Sequence, residues 1–239
     1  MYIRLIIILV TTSLSAQNFG GNIGLIGHFP QGEFKQEGVT TGLGLDINGM
    51  YYPVKKLAFG LNLGGSVYDY SEKQVPLSLT LPDIIVNKKT SKNIGYGHIF
   101  FRIIPFSGNI QPYMEGLIGA KNLYTTTEIE NNNCYDNDED NDDCQIAEST
   151  TANDYAFSYG VGGGLEIKLT TMKDEEDNPS GTLSFFLNGK YLWGTEAEYL
   201  TRGSIVEDTD VHGHTTVTLM PSESRTDLFQ LTLGLSIYF

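Results

Sequence analysis

From residue 18 onward, this chain places bulky apolar residues at every second position, in stretch after stretch of ten or more residues. A period of two is that of a β-strand whose two faces meet different surroundings. The C-terminus shows it most strictly. Phe229, Leu231, Leu233, Leu235, Ile237 and Phe239 share one face, while Leu228, Gln230, Thr232, Gly234, Ser236 and Tyr238 share the other. In 57–70, Leu57, Phe59, Leu61, Leu63 and Val67 oppose Ala58, Gly60, Asn62, Gly64 and Ser66. Similar alternation runs through 155–169 and 182–195, and no helical period stands out.

Eight stretches of this kind can be counted, at 18–29, 40–52, 57–70, 94–104, 110–125, 155–169, 182–195 and 225–239. In 94–104 the pattern is weakest; with Ile99, Phe101 and Ile103 outward, His98, Phe100 and Arg102 face inward. The connections alternate in length. Short or intermediate ones fall at 53–56, 105–109 and 170–181, and long ones at 30–39, 71–93, 126–154 and 196–224. The expected fold is therefore all-β, an eight-stranded antiparallel up-and-down barrel with tight turns at one rim and large loops at the other. Closure leaves no strand edge. Within 71–93, the alternation from Val75 to Val86 reads chiefly as an extension of the hairpin, with an exposed edge for a partner strand as the other reading.

Which face meets lipid follows from three features. Strands of this length suit a tilted bilayer crossing, which needs about 9–11 residues. Tyr51, Tyr52, Tyr113, Tyr191, Trp193, Tyr238 and Phe239 lie near strand ends, where aromatic girdles sit. The second face is small and polar, and carries single charges at Asp46, Arg102, Glu115, Lys121, Glu166, Lys168 and Lys190. An eight-stranded lumen is narrow, so glycine must alternate there with larger polar groups. A soluble barrel, apolar inside, is the rival arrangement.

The alternating strand Leu231–Phe239 with its terminal aromatic, together with Tyr51-Tyr-Pro-Val-Lys-Lys-Leu-Ala-Phe-Gly-Leu61 and Gln111-Pro-Tyr-Met-Glu-Gly-Leu-Ile-Gly119, resembles the small outer-membrane β-barrels of Gram-negative bacteria. Within these it is similar to the Bacteroidota "outer membrane protein beta-barrel domain" family, over essentially residues 18–239. The resemblance implies an outer-membrane location and a lipid-embedded wall. It also implies that the strand ending in Phe239 is the signal read by the barrel-assembly machinery.

Residues 1–16 fit that destination. Arg4, the apolar run Leu5–Val10 and a small-residue stretch ending at Ala16 have the order of a secretory signal peptide. The run is too short to span a bilayer. Cleavage is expected after Ala16, which leaves 17–239 as one barrel domain.

The net charge of −14 is unevenly spread: residues 122–167 hold eleven acids and no Lys or Arg, so the rest of the chain sums to −3. A chain this acidic is no nucleic-acid binder. The densest segment, Cys134–Cys144, has six acids and no base, inside an acidic external loop at about 126–154. Two cysteines closing a short loop in an exported protein point to a Cys134–Cys144 disulfide. Asp136, Asp138, Asp140 and Asp142 recur at every second residue, as oxygen ligands do in Ca²⁺ loops. The EF-hand glycine is missing, and a solvated acidic loop is the alternative. No other cofactor is expected.

Arg102 and Glu115 lie equally far from Gly108-Asn109, so a tight turn there stands them side by side as a lumen ion pair. Lys121, Glu166, Lys168 and Lys190 can extend the network, which favours a plugged lumen over a solute path. His28, His98, His212 and His214 are read as loop or interface residues. His212-Gly-His214 near Thr215, Thr216 and Ser222 is the weak constellation that a lipid-modifying enzyme would use. The expected role is a non-enzymatic structural or surface-interaction protein, whose loops meet an extracellular ligand or surface partner. A lipid-modifying enzyme and a barrel component of a secretion or assembly machine are the alternatives.

Overall fold

The computed structural model describes residues 18–78, 81–131, 145–173, 179–209 and 215–239. Eight long antiparallel strands form a closed ring. They are β1 (Phe19–Pro30), β2 (Gly42–Val54), β3 (Leu57–Ser78), β4 (Leu81–Ile103), β5 (Ile110–Asn131), β6 (Gln145–Lys173), β7 (Pro179–Gly194) and, after four short strands, β12 (Leu228–Tyr238). Each pairs with its sequence neighbour in the ring, and β1 closes on β12 from Gly20↔Tyr238 to Pro30↔Leu228. The up-and-down barrel read from the alternation is the fold.

The two faces divide as the pattern demands. Ile23, Leu25, Leu45, Ile47, Leu61, Leu63, Ile99, Ile118, Val161, Leu187, Leu233 and Leu235 are exposed on the outer wall. Asn22, Asp46, Asn48, Asn62, His98, Arg102, Glu115, Glu166, Asn188, Lys190, Gln230 and Thr232 are buried inside. An apolar exterior around a polar interior is unstable in water and is what lipid selects. From Phe229 to Ile237 the outward face of β12 runs eight residue steps. At about 3.4 Å per step and a tilt of about 40°, that spans roughly 21 Å along the axis, close to the ~25 Å apolar band of such barrels.

Three of the expected girdle aromatics belong to the interior. Tyr113 is buried beneath Arg102, while the hydroxyls of Tyr52 and Tyr238 reach Met50 and Glu166 respectively. Each sits an even number of residues from an inward group (Glu115, Asp46 and Ser236), so strand parity turns it inward. Tyr191 and Trp193 do lie on the outer wall, where Trp193 stacks on Tyr159 and Tyr191 is tilted against Trp193.

The long connections are more ordered than loops. β3, β4, β5 and β6 run 22, 23, 22 and 29 residues, against 12, 13, 16 and 11 for β1, β2, β7 and β12. Most of 71–93 is therefore a hairpin that pairs out to Ser78↔Leu81, and 126–131 and 145–154 are strand. Above the ring these four strands form one projecting sheet. β2 leaves β3 after Leu43↔Val67, and β7 joins β6 only from Ser158↔Gly194. The connection after β1 holds a five-residue helix, α1 (Gly32–Gln36), too short to register as a helical period. The last long connection holds β8 (Glu196–Tyr199) paired with β11 (Ser222–Arg225), and β9 (Ile205–Thr209) paired with β10 (Thr215–Leu219).

Candidate functional site

Inward parity brings three carboxylates and three cations into the lumen: Asp46, Glu115 and Glu166 with Arg102, Lys121 and Lys190, all buried. They sum to zero in a chain of net charge −14. Such neutrality is what a low-dielectric interior requires, because an unpaired charge there is costly.

Nearest the short turns, Arg102 stands directly across from Glu115 in the β4–β5 register. Its Nε and a terminal nitrogen donate to Glu115 Oε2 at 3.1 and 3.0 Å. The guanidinium lies 3.9 Å from the centre of the Tyr113 ring, a cation–π contact. Asn188 Nδ2 donates to Glu115 Oε1 and to the Tyr113 hydroxyl, both at 3.0 Å. Glu166 accepts the hydroxyls of Ser236 and Tyr238. Tyr113 fits because Gly164 lies opposite: a Cβ there would meet the ring at 2.6 Å.

Mid-barrel, Asp46 collects donors from four strands. Asn48 and Asn62 donate at 2.7 Å and Gln230 at 3.2 Å, and the Tyr96 hydroxyl completes the shell. Lys190 donates to Asn62 Oδ1 at 3.1 Å and sits 3.8 Å from both Asp46 and Glu115, linking the two layers. Farther up, Lys121 donates to the Thr226 carbonyl. Lys168 lies outside this network, exposed on β6, because the strand has by then left the ring's interior.

Above the polar layers sits an apolar cap. Phe34 of α1 meets the Tyr199 ring edge-on with centroids 4.9 Å apart, and Leu200, Val39 and Ala197 are buried around it. Tyr68 Oη ties β3 to the cap by donating to the Leu200 carbonyl at 3.0 Å. The lumen is thus filled by side chains and closed from above, so planar-bilayer recordings should show no steady, discrete conductance; regular channel steps would contradict the plug.

His28 is a lumen residue rather than a loop or interface one, and His98 faces the lumen as its parity with Phe100 and Arg102 requires. His28 Nδ1 pairs with Ser66 Oγ, and both rings pack on Tyr96. His212 and His214 lie outside the described residues, as do the signal segment 1–16, Cys134, Cys144, Asp136, Asp138, Asp140 and Asp142. Ser222 begins β11, opposite Tyr199. Phe239 lies at the ring's seam, where its N–H donates to the Phe19 carbonyl at 2.9 Å. Sequence reasoning found the Arg102–Glu115 pairing but missed Tyr96, Gln230, Asn62 and Asn188 as partners of the charges. Their one signal was inward parity.

At the projecting sheet, the two faces differ in charge. On its outer face, Lys89 Nζ lies 2.6 Å from Glu130, and this hydrogen bond holds the ammonium above the usual lysine range. The inner face carries Asp69, Lys73, Lys88 and Lys92 and looks across at the turn Thr201–Ser204.

No protein-family model matches the chain, and no curated protein matches it. Among solved structures it is similar to neisserial surface protein A, at 10% identity over 92% of this chain and 97% of that one, with a TM-score of 0.48. It is also similar to a major outer membrane protein from Thermus thermophilus, at 9% identity over 92% of this chain and 99% of that one, with a TM-score of 0.35.

Proposed function

We propose that this chain is a non-enzymatic outer-membrane β-barrel protein whose long-loop end is a recognition surface outside the cell. The observation that carries this reading is the sheet of β3–β6 standing above the apolar belt. An extension of about ten residues per strand, roughly 33 Å at ~3.3 Å each, is far more than ring closure needs. Large ordered structure on a rigid scaffold is where binding residues concentrate. The export segment 1–16 and the strand ending in Phe239 support the route through the barrel-assembly machinery. The acidic stretch between β5 and β6 belongs to the same reading, with a Cys134–Cys144 disulfide and Ca²⁺ at Asp136, Asp138, Asp140 and Asp142.

Lysine topology tests the reading. Lys35 and Lys73 are exposed at the long-loop end, and Lys55, Lys56 and Lys168 at the short-turn end. A membrane-impermeant amine label applied to intact cells should mark the first pair and spare the other three. The reverse pattern, or equal marking, would contradict it.

A further inference from the structure

Of the lumen cations, Arg102 and Lys190 face carboxylates, but Lys121 does not. Lys121 is 1% exposed, and among the described residues its ammonium has one partner, the Thr226 carbonyl. The remaining N–H donors of the ammonium are left over. The carboxylates that could answer them are held elsewhere. Asp46 takes donors from Asn48, Asn62, Tyr96 and Gln230. Asp227 Oδ1 accepts from Gly194 N at 3.0 Å and lies 3.7 Å from Arg225. Glu166, whose charge brings the lumen to zero, accepts from Ser236 and Tyr238 near the short turns. It stands across from Gln111, ten residues before Lys121 on β5, or about 33 Å along the strand at ~3.3 Å per residue. Neutrality of the whole lumen therefore leaves this end positive.

Beside Lys121 sits a second unpartnered group. Lys121 stands opposite Tyr96 and His98 opposite Gly119 in the β4–β5 register, so Lys121 and His98 are diagonal neighbours on the inward face. Such neighbours lie about 7–8 Å apart, within reach of a long side chain. His98 is 2% exposed, and neither of its ring nitrogens has a hydrogen-bond partner. Even a neutral imidazole carries an N–H to give. Gly119 contributes no side chain to this corner, and the Tyr96 ring, 5.6 Å from that of His98, bounds it.

We propose that Lys121 and His98 hold a compact monovalent anion, a halide, enclosed between the polar layers and the apolar cap. Buried donors are rarely left without an acceptor, so an ion or a water completes such a site. Water satisfies the N–H groups but leaves the charge, and an unpaired buried ammonium is costly. One anion answers both. A single charge matches the single ammonium, and enclosure under the cap excludes large or multiply charged groups. Because Lys121 also holds the Thr226 carbonyl, the ion ties β4 and β5 to the segment that enters β12. It completes the plug whatever the long-loop end recognises.

Anomalous diffraction from crystals of the full barrel grown in sodium bromide locates the ion. A bromide peak within about 3.5 Å of both Lys121 Nζ and a His98 ring nitrogen is expected. Urea unfolding in phosphatidylcholine vesicles measures the same site in solution, with bromide replacing the bulkier gluconate at constant ionic strength. Each tenfold rise in bromide above its Kd should shift the unfolding equilibrium about tenfold toward the fold. Lys121→Met removes the charge without stranding another, so it should fold, as gel mobility before and after heating will show, and should lose both the peak and the shift. Lys55→Gln, at the opposite rim, should respond to bromide as the parent does. Water alone at Lys121 in the bromide crystals, bromide on the protein surface only, or equal bromide dependence in the parent and Lys121→Met overturns the inference. If Lys121→Met does not fold, the peak in the parent still decides. None of these failures touches the lysine-labelling pattern, and with it the surface reading.

Discussion

Glu115→Ala should destabilise the barrel by about 3–5 kcal/mol, the usual cost of stripping one partner from a buried ion pair. Arg102 is 2% exposed, and its Nε and a terminal nitrogen both donate to Glu115 Oε2. Removing the carboxylate leaves the guanidinium facing Tyr113, and among the described residues no other acid pairs with it. Asn188 loses an acceptor at 3.0 Å, and Lys190 loses one of its two nearby carboxylates. The double variant Arg102→Leu/Glu115→Leu removes both charges and should cost far less than the single one, since a buried pair replaced by apolar groups is often neutral. Urea titration in lipid vesicles, followed by the gel mobility of folded and unfolded forms, measures both. A loss below about 1 kcal/mol for Glu115→Ala would mean that water reaches the pair and the lumen is not plugged.

Leu233→Arg is the second large effect, expected to cost about 2–4 kcal/mol in the same assay. Leu233 is exposed at the centre of β12's outer face, between Leu25 and Leu187 on the neighbouring strands. In water, an exposed leucine replaced by arginine costs little. In the middle of a bilayer, the charge must be dragged from water or must thin the membrane around it. The cost should therefore depend on depth, falling to about 0–1 kcal/mol for Phe229→Arg near the rim. A flat profile along the strand would mean that no apolar slab surrounds the barrel.

The parts of this fold that could be read from sequence are those where the two faces of a strand meet different solvents. Leu231–Phe239 alternates strictly because lipid lies on one side and packed polar groups on the other. The pairing of Arg102 with Glu115 was legible because the two lie equally far from Gly108-Asn109, the midpoint of the β4–β5 connection, although that connection is a longer loop beyond the last pair, Ile103↔Met114, rather than the tight turn expected. The same logic explains the misses. In Ser71–Gln74 the residues are exposed, so apolar alternation lapses although the strand continues, and it was the alternation from Val75 to Val86 that marked the hairpin's extension. An aromatic near a strand end does not declare its face. Tyr113 plugs the lumen while Tyr191 faces outward, and only parity against Glu115 separates them. The Asp46 cluster draws on β2, β3, β4 and β12, so it exists only once the ring has closed. α1 offers five residues, one helical turn and a fraction, anchored by Phe34 alone.

The central claim is that the apolar wall of the ring faces lipid, and the chain carries its own probe of it. Trp193 is the single tryptophan. It sits on the outward face of β7, with centroids 5.5 Å from the Tyr159 ring and 5.0 Å from that of Tyr191, near the end of the strand. Fluorescence of the unmodified protein in vesicles containing brominated lipids reads its surroundings directly. Strong quenching by lipid brominated close to the headgroup, weaker quenching by lipid brominated near the chain terminus, and protection from aqueous iodide are the predicted result. Free quenching by iodide, with no response to brominated lipid, would place the wall in water and contradict the account.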